Sequence, residues 1–261
     1  MRSAVLLSGG LDSAVLLAEE AGQPEVQPIY VSVGLAWEAA ELTTVERFLA
    51  AARFRHPVGR LASLRVDMRD VYAATHWAIE GKPPAYHTPD EDVYLPGRNV
   101  ILLAKAGVYC AAAGIDRVVL GTLGHNPFPD ATPAFRAAMA RALSLGLAHP
   151  LAIDAPYAAI SKADVIRRGA ALGVPFELTL SCMNPQSPRT DHSQSPHTNH
   201  PQSPHTNHPQ SPHTNHPQSP IPNPQSPVHC GECSKCRERH DAFIEAGIVD
   251  PTFYATTGNL A

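Results

Sequence analysis

The sequence has no basic surplus: 20 Lys and Arg stand against 24 Asp and Glu, for a formal net charge of −4, and no cationic tract breaks that balance. Such a composition gives no support for a strong, non-specific nucleic-acid surface, so no stable nucleic-acid partner is expected and small acidic ligands have to be met by a few local side chains. Long apolar runs are also missing, since no stretch approaches the roughly 18 residues that a bilayer span requires. No membrane partner is expected. The short apolar run after Arg2 is interrupted by Gly9, Gly10 and Asp12, which makes a poor signal-peptide core, and a cytoplasmic location is expected. Neither the Gly-x-x-x-x-Gly-Lys-Ser/Thr pattern of P-loop nucleotidases nor the Gly-x-Gly-x-x-Gly of dinucleotide folds occurs. Disulfides are not expected either. Five cysteines in a chain read as cytosolic, three of them at Cys230, Cys233 and Cys236, point to metal.

What is present is an alternation of short apolar runs with longer helical stretches. Ala4 to Leu7, Val26 to Val33, Leu64 to Met68, Arg117 to Gly121 and Leu151 to Ile153 read as strands. Trp37 to Arg53, Asn99 to Ala113, Pro133 to Leu145 and Ser161 to Leu172 read as helices. This pattern predicts an α/β fold, an open parallel sheet with helices on both faces. Ligands of such sheets sit outside the carboxyl ends of the strands, so Ser8 to Ser13, Val33 to Glu38 and Gly121 to Asn126 are expected to line one pocket.

From Asn184 onward the composition turns to Pro, Gln, Ser, His, Thr and Asn, and the octapeptide Ser-Pro-His-Thr-Asn-His-Pro-Gln repeats in tandem from Ser195, Ser203 and Ser211. So little apolar content cannot bury a core. The block reads as an expanded insertion, or as a loose metal binder through its seven histidines from His192 to His216. The expected organisation is a core domain over 1–183, the insertion over 184–228, and a helical segment over 229–261 that completes the same domain.

Ser8-Gly-Gly-Leu-Asp-Ser13 follows an apolar run and precedes a helix. Gly9 and Gly10 allow the backbone to approach a ligand closely, and the unpaired amides of a helix start favour anions, so Ser8, Gly9, Gly10, Leu11, Asp12 and Ser13 read as a phosphate cradle. The hexapeptide resembles the signature of PP-loop ATP pyrophosphatases. Cys230-Gly-Glu-Cys-Ser-Lys-Cys236, with Cys182 just before the insertion, offers four thiolates. That set suits a closed structural Zn²⁺ site, with an iron–sulfur cluster as the rival; the ferredoxin continuation of that pattern is absent, since His240 and Asp241 stand in its place. Cys110, in mid-helix, reads as a packed core thiol.

Taken with Leu95-Pro-Gly-Arg-Asn99, Phe128-Pro-Asp-Ala-Thr-Pro-Ala-Phe135, Ser161-Lys-Ala-Asp164, Ser181-Cys182 and Ala246 to Pro251, these segments resemble, in order and spacing, the 7-cyano-7-deazaguanine synthase family of queuosine biosynthesis. The resemblance implies a PP-loop, adenine nucleotide alpha hydrolase-like fold with a small C-terminal zinc-binding segment. It implies a carbon–nitrogen ligase that uses ATP and Mg²⁺, takes a carboxylic acid and ammonia as partners, and forms a homodimer. Asp12 and Lys162 are then expected at the reacting phosphates, and Arg98 and Asn99 at the nucleotide or the acid, unless Asn99 merely caps its helix. The chain departs from the family pattern at Gly121-Thr-Leu-Gly-His-Asn-Pro127, where an acidic residue is usual. His125, Asn126 and Asp130 are expected to meet the acid substrate. A PP-loop tRNA thiolation enzyme, an amidase that stops before the nitrile, and a non-catalytic nucleotide binder are the rival readings.

Overall fold

The computed structural model describes residues 2–124, 126–186 and 226–258. Five strands, β1 (Ser3–Leu6), β2 (Val26–Ser32), β3 (Ala62–Arg65), β4 (Arg117–Val119) and β5 (Ala152–Asp154), form an all-parallel sheet in the order β3-β2-β1-β4-β5. At its centre Val5 faces Pro28 of β2 on one side and Val119 of β4 on the other. Alternation along the strands divides their side chains between two cores. Val5, Tyr30 and Val119 pack against α1 (Leu11–Glu20), α2 (Glu38–Ala51), α6 (Lys162–Ala171) and α7 (Ser234–Ala246). Ala4, Ile29, Val31 and Val118 pack against α4 (Arg98–Ala113) and α5 (Pro133–Gly146). A sheet covered on both faces needs apolar residues at successive positions, which is why its strands read as short continuous runs. Fully buried side chains such as Leu7, Leu16 and Phe48 each contribute on the order of 1.5–3 kcal/mol.

Helix boundaries follow local chemistry. Ser161 and Asp164 form a reciprocal capping box at the start of α6, and Gly97 and Gly114 take left-handed conformations at the two ends of α4. Gly169 lets α6 lie against α1, since a Cβ there would come 2.5 Å from Val15. The edge strand β3 ends earlier than the sequence suggests. Val66 and Met68 still donate to the carbonyls of Ser32 and Val33, but the ladder of paired residues runs only from Ala62 to Arg65.

A third core joins the short helix α3 (Trp77–Glu80) to Trp37, Leu180 and four cysteines. Beside it, β6 (Val228–His229) and β7 (Phe253–Tyr254) form a two-stranded parallel patch. Arg239 of α7, fully buried, donates to Thr179 Oγ1, Ser181 Oγ, Thr252 Oγ1 and the Phe176 carbonyl. A buried guanidinium so fully satisfied ties the C-terminal segment to the chain that precedes Cys182. Of the expected insertion, Asn184 to Gln186 and Ser226 to Val228 are in place, and the Gln186 amide donates to the Val228 carbonyl at 2.9 Å. The repeats themselves lie outside the described residues. Among the described residues no helix is long and apolar enough to cross a membrane.

Candidate active site and metal centre

The loop after β1 is folded around its own hydroxyls. Ser13 Oγ accepts from the Ser8 amide at 3.2 Å and donates to the Gly10 carbonyl at 3.0 Å, while Ser8 Oγ accepts from the Gly10 amide at 3.3 Å. Gly9 has φ +80° and lies so close to α2 that a Cβ would come 3.2 Å from both the Glu41 carbonyl and Val45. No side chain caps α1 behind Gly10, so its first amides remain available to an anion. Gly121, after β4, crosses directly over Asp12, where a Cβ would sit 3.4 Å from the Asp12 carbonyl carbon.

These turns border a two-lobed cleft. The inner lobe, about 260 Å³, runs beneath Leu6, Ile29, Val31, Leu102 and Leu120 and reaches Ser8, Asp12 and Ser13. The outer lobe, about 590 Å³, opens past Trp37, Trp77, Lys162 and the first turns of α7. Arg98, Glu41 and Asn126 border both. Of the turn after β2, only Trp37 reaches the cleft. This corrects the expectation for Val33 to Glu38: the Glu38 carboxylate folds back to accept from the Val33 and Gly34 amides at 2.7 and 3.0 Å, pinning the turn away from the ligand space.

Lys162 opens α6 and is held between two carboxylates, Asp12 at 3.0 Å and Glu238 of α7 at 2.9 Å. Burial alone would depress the ammonium, but the charges of Asp12 and Glu238 overcome it and hold Lys162 above its usual pKa. Glu238 also accepts from Lys235 at 2.6 Å; burial would raise its carboxyl, yet the two lysines keep it down at about 2. Asp12 Oδ1 and Arg98 Nε are buried and find no hydrogen-bond partner among the described residues, and both residues line the cleft. Buried polar groups are normally paired with protein, water or an ion, so both atoms have hydrogen-bonding capacity left for a partner from the cleft.

Asn99 and Asp130 meet each other. The Asp130 carboxylate accepts the Asn99 amide at 3.1 Å and its side-chain Nδ2 at 3.2 Å, so Asp130 caps α4 from outside and Asn99 does not cap its own helix. Asn126 Oδ1 accepts the Phe128 amide at 2.9 Å, which shapes the loop it stands in. His125 lies outside the described residues.

Glu41 was not singled out by sequence. It sits one turn after Trp37, buried, accepting from Trp37 Nε1 at 3.0 Å and from the Tyr30 hydroxyl at 3.1 Å. Burial, opposed by the charge of Arg98, pushes its carboxyl up to about 7. Glu238 was likewise missed, because a Glu in the charged run Arg237-Glu-Arg-His-Asp241 looks like any solvated helix face.

Behind α7, Cys182, Cys230, Cys233 and Cys236 place their sulfurs within 4.8 Å of one another, all buried. Pairs such as Cys182–Cys230 at 3.4 Å, Cys233–Cys236 at 3.5 Å and Cys230–Cys236 at 3.8 Å are too long for disulfides and close to the edge, about 3.8 Å, of a tetrahedron with Zn–S bonds of about 2.3 Å. The amides of Asn184 and Cys230 point at Cys182 Sγ, and that of Glu232 at Cys230 Sγ, all at 3.3–3.4 Å. Donors aimed at sulfur suit thiolates. The donor set therefore fits Zn²⁺. Gly231 holds the hairpin between Cys230 and Cys233 at φ +80°, where a Cβ would collide with the Thr256 carbonyl. Cys110 is buried in the sheet core, apart from this cluster.

The fold and the site together define an α/β protein with a glycine turn and an uncapped helix start at the central strand of a parallel sheet, and with four clustered cysteines near its C-terminal end whose geometry fits a metal ion. Residues 2–197 match the family model of the queuosine biosynthesis protein QueC. The chain is 32% identical to 7-cyano-7-deazaguanine synthase of Azoarcus sp. (strain BH72), over 97% of this chain and 96% of that protein. It is 30% identical to the enzyme of the same name from Anaeromyxobacter dehalogenans, over 97% and 96%, and 29% identical to that of Thermoplasma volcanium, over 97% and 91%. The chain belongs to the QueC family.

Proposed function

We propose that the chain is an ATP-dependent carbon–nitrogen ligase that converts 7-carboxy-7-deazaguanine and ammonia to 7-cyano-7-deazaguanine. The observation that carries this reading is the meeting of Asp12 and Lys162 at the uncapped start of α1, beside Arg98 with its unpartnered nitrogen. In the first step the carboxylate attacks the α-phosphate, giving an acyl-adenylate and pyrophosphate. Ammonia displaces AMP to leave the amide, and a second ATP activates the amide oxygen, so that loss of AMP and a proton leaves the nitrile.

Both adenylations expel pyrophosphate, and stabilising that departing charge is the main electrostatic demand. The Ser8–Ser13 amides and hydroxyls and the Lys162 ammonium meet it. Mg²⁺ takes one or two carboxylates together with phosphate oxygens, and Asp12 Oδ1, buried and unpartnered, is the oxygen this chain offers. The apolar wall of the inner lobe, Leu6, Ile29, Val31, Leu102 and Leu120, suits the adenine base, and the outer lobe, bordered by Trp37 and Asn126, suits the planar acid. Zn²⁺ at the four cysteines supplies structure rather than chemistry, since four protein ligands leave no open position. The homodimer and cytoplasmic location implied by the family resemblance remain parts of this proposal.

Incubation of the protein with Mg-ATP, ammonia and 7-carboxy-7-deazaguanine, with the product weighed by mass spectrometry, tests the reading. The nitrile mass supports it. Amide alone reduces it to an amidase, and no conversion with pyrophosphate released from another acid transfers the activity to that acid.

A further inference from the structure

Asp12, Lys162, Glu238 and Lys235 form a row of alternating charges, with contacts of 3.0, 2.9 and 2.6 Å. The row crosses three helices: Asp12 stands in the first turn of α1, Lys162 opens α6, and Glu238 stands in the second turn of α7. Its far end is anchored on both sides. Cys236, two residues before Glu238, and Arg239, one after it, are both fully buried, the first among the four cysteines and the second in its web of hydroxyl and carbonyl acceptors. Glu238 is thus presented to the cleft by a backbone that has little room to move, although its own carboxylate borders the open outer lobe.

We propose that Glu238 is a positioning residue that aims Lys162 at the phosphates of the nucleotide; the proposal rests on reading the cleft as an ATP site. An ammonium has three donors. Asp12 and Glu238 take two of them, which fixes the rotation of Nζ and leaves the third for a phosphate oxygen. Asp12 alone would leave the ammonium free to swing about a single contact, and long flexible lysine stems lose that freedom only when several partners hold the head. The charge of Glu238 in itself repels phosphate, so a role in binding strength would be counterproductive. Its value lies in orientation, and a misdirected group costs rate more than affinity.

That distinction gives the test. In Glu238→Gln the volume is kept and one negative charge is removed. Pyrophosphate release is expected to slow on the order of tenfold, while KM for Mg-ATP stays level or falls, because repulsion of phosphate is relieved. In the Lys162→Ala background the same change is expected to cost nothing further. Independently of turnover, Lys162 in Glu238→Gln loses one of the two charges that hold its proton, so labelling by an amine acylating reagent, read by peptide mass mapping, is expected to accelerate. Zinc content and thermal midpoint should match the unsubstituted protein. Unchanged turnover and labelling would overturn the proposal, as would an equal loss of turnover in the absence of Lys162. Should Glu238→Gln not fold, Glu238→Asp carries the test, since it keeps the charge but withdraws it from Lys162: slower turnover with unchanged zinc supports the proposal, and full turnover sinks it. If the unsubstituted protein releases no pyrophosphate with any carboxylate, the ATP reading fails, and the labelling arm still decides whether Glu238 governs Lys162.

Discussion

Lys162 and Asp12 stand 150 positions apart in the chain and 3.0 Å apart in space, each in the first turn of its helix. The contact brings the Lys162 ammonium to the uncapped start of α1, so that the α1 dipole and the lysine charge favour an anion in the same place, whereas the start of α6 is closed by its own capping box. Lys162→Ala is expected to slow pyrophosphate release by about 10²–10³, the usual cost of losing one preorganised donor. Asp12→Ala is expected to abolish it, with the far-ultraviolet dichroism unchanged. Release near the original rate in the Asp12 variant would remove the ligase reading.

The four cysteines are expected to hold one zinc per chain. Their sulfurs come from both sides of the insertion, and α7 begins at the cluster. Structural zinc is worth on the order of 10 kcal/mol of folding free energy. Replacing Cys236 by Ser should therefore release the metal and open residues 229–258 to protease before the sheet unfolds. Elemental analysis is the direct measurement, and iron with acid-labile sulfide would instead promote the tRNA thiolation reading.

Glu41 makes stability depend on pH in a direction opposite to an ordinary ion-paired carboxylate. Its carboxyl rises from 4.5 to about 7 on folding, chiefly through burial, with Tyr30, Glu38 and Arg98 as its charged or titratable neighbours. The folded state then binds the proton more tightly than the unfolded chain, so this group's contribution falls as pH rises from 4.5 to 7 and the cost is complete above that. Glu41→Gln does not titrate. Its stability relative to the unsubstituted protein, measured by urea unfolding without nucleotide, should improve by up to about 3 kcal/mol between pH 4.5 and 8. A constant difference across that range would place the Glu41 carboxyl at its ordinary value.

The sheet was legible because the four strands other than β3 carry short apolar runs closed by glycines or polar turns, and the apolar period of α4 and α5 marks helices. The edge strand β3 spans Ala62–Arg65 rather than Leu64 to Met68, because the apolar alternation of Leu64, Val66 and Met68 continues past Arg65, the last residue of the paired ladder. Ser8 to Ser13 announced itself through two glycines flanked by hydroxyls, and the cysteines through their spacing. Glu41 and Glu238 did not, for a shared reason. Each gains its meaning from a partner on another helix or strand, Tyr30 for the first and Lys162 for the second, and a lone Glu on a polar helix carries no mark of such a meeting. The Trp37–Glu41 spacing of one helical turn was the one local signal available.

Asn126→Ala is expected to raise KM for the acid several-fold and to affect KM for ATP much less. The side chain that borders the cleft also fixes the Phe128 amide, so its loss reshapes the rim at which the chain departs from the family pattern. Equal changes for both substrates would assign the loop to the nucleotide.

Gln186 and Val228 bear on what can be removed. Because the Gln186 amide reaches the Val228 carbonyl at 2.9 Å, the chain leaves and re-enters the fold at one place, and a short connection spans the gap. Closing a loop costs only about 0.6 kcal/mol for each doubling of its length. Replacing residues 187–225 by a Gly/Ser bridge of about five residues shortens the loop by roughly three doublings, so stability should rise by at most about 2 kcal/mol, a change of a few degrees in the thermal midpoint. Zinc and turnover should be retained, since Cys182 and Cys230 keep their places on either side of the bridge. The seven histidines from His192 to His216 go with the excised segment, so weak binding of additional nickel, measured by titration calorimetry, should disappear with them. A shortened protein that folds and holds zinc but no longer turns over would make the repeats part of the catalytic apparatus.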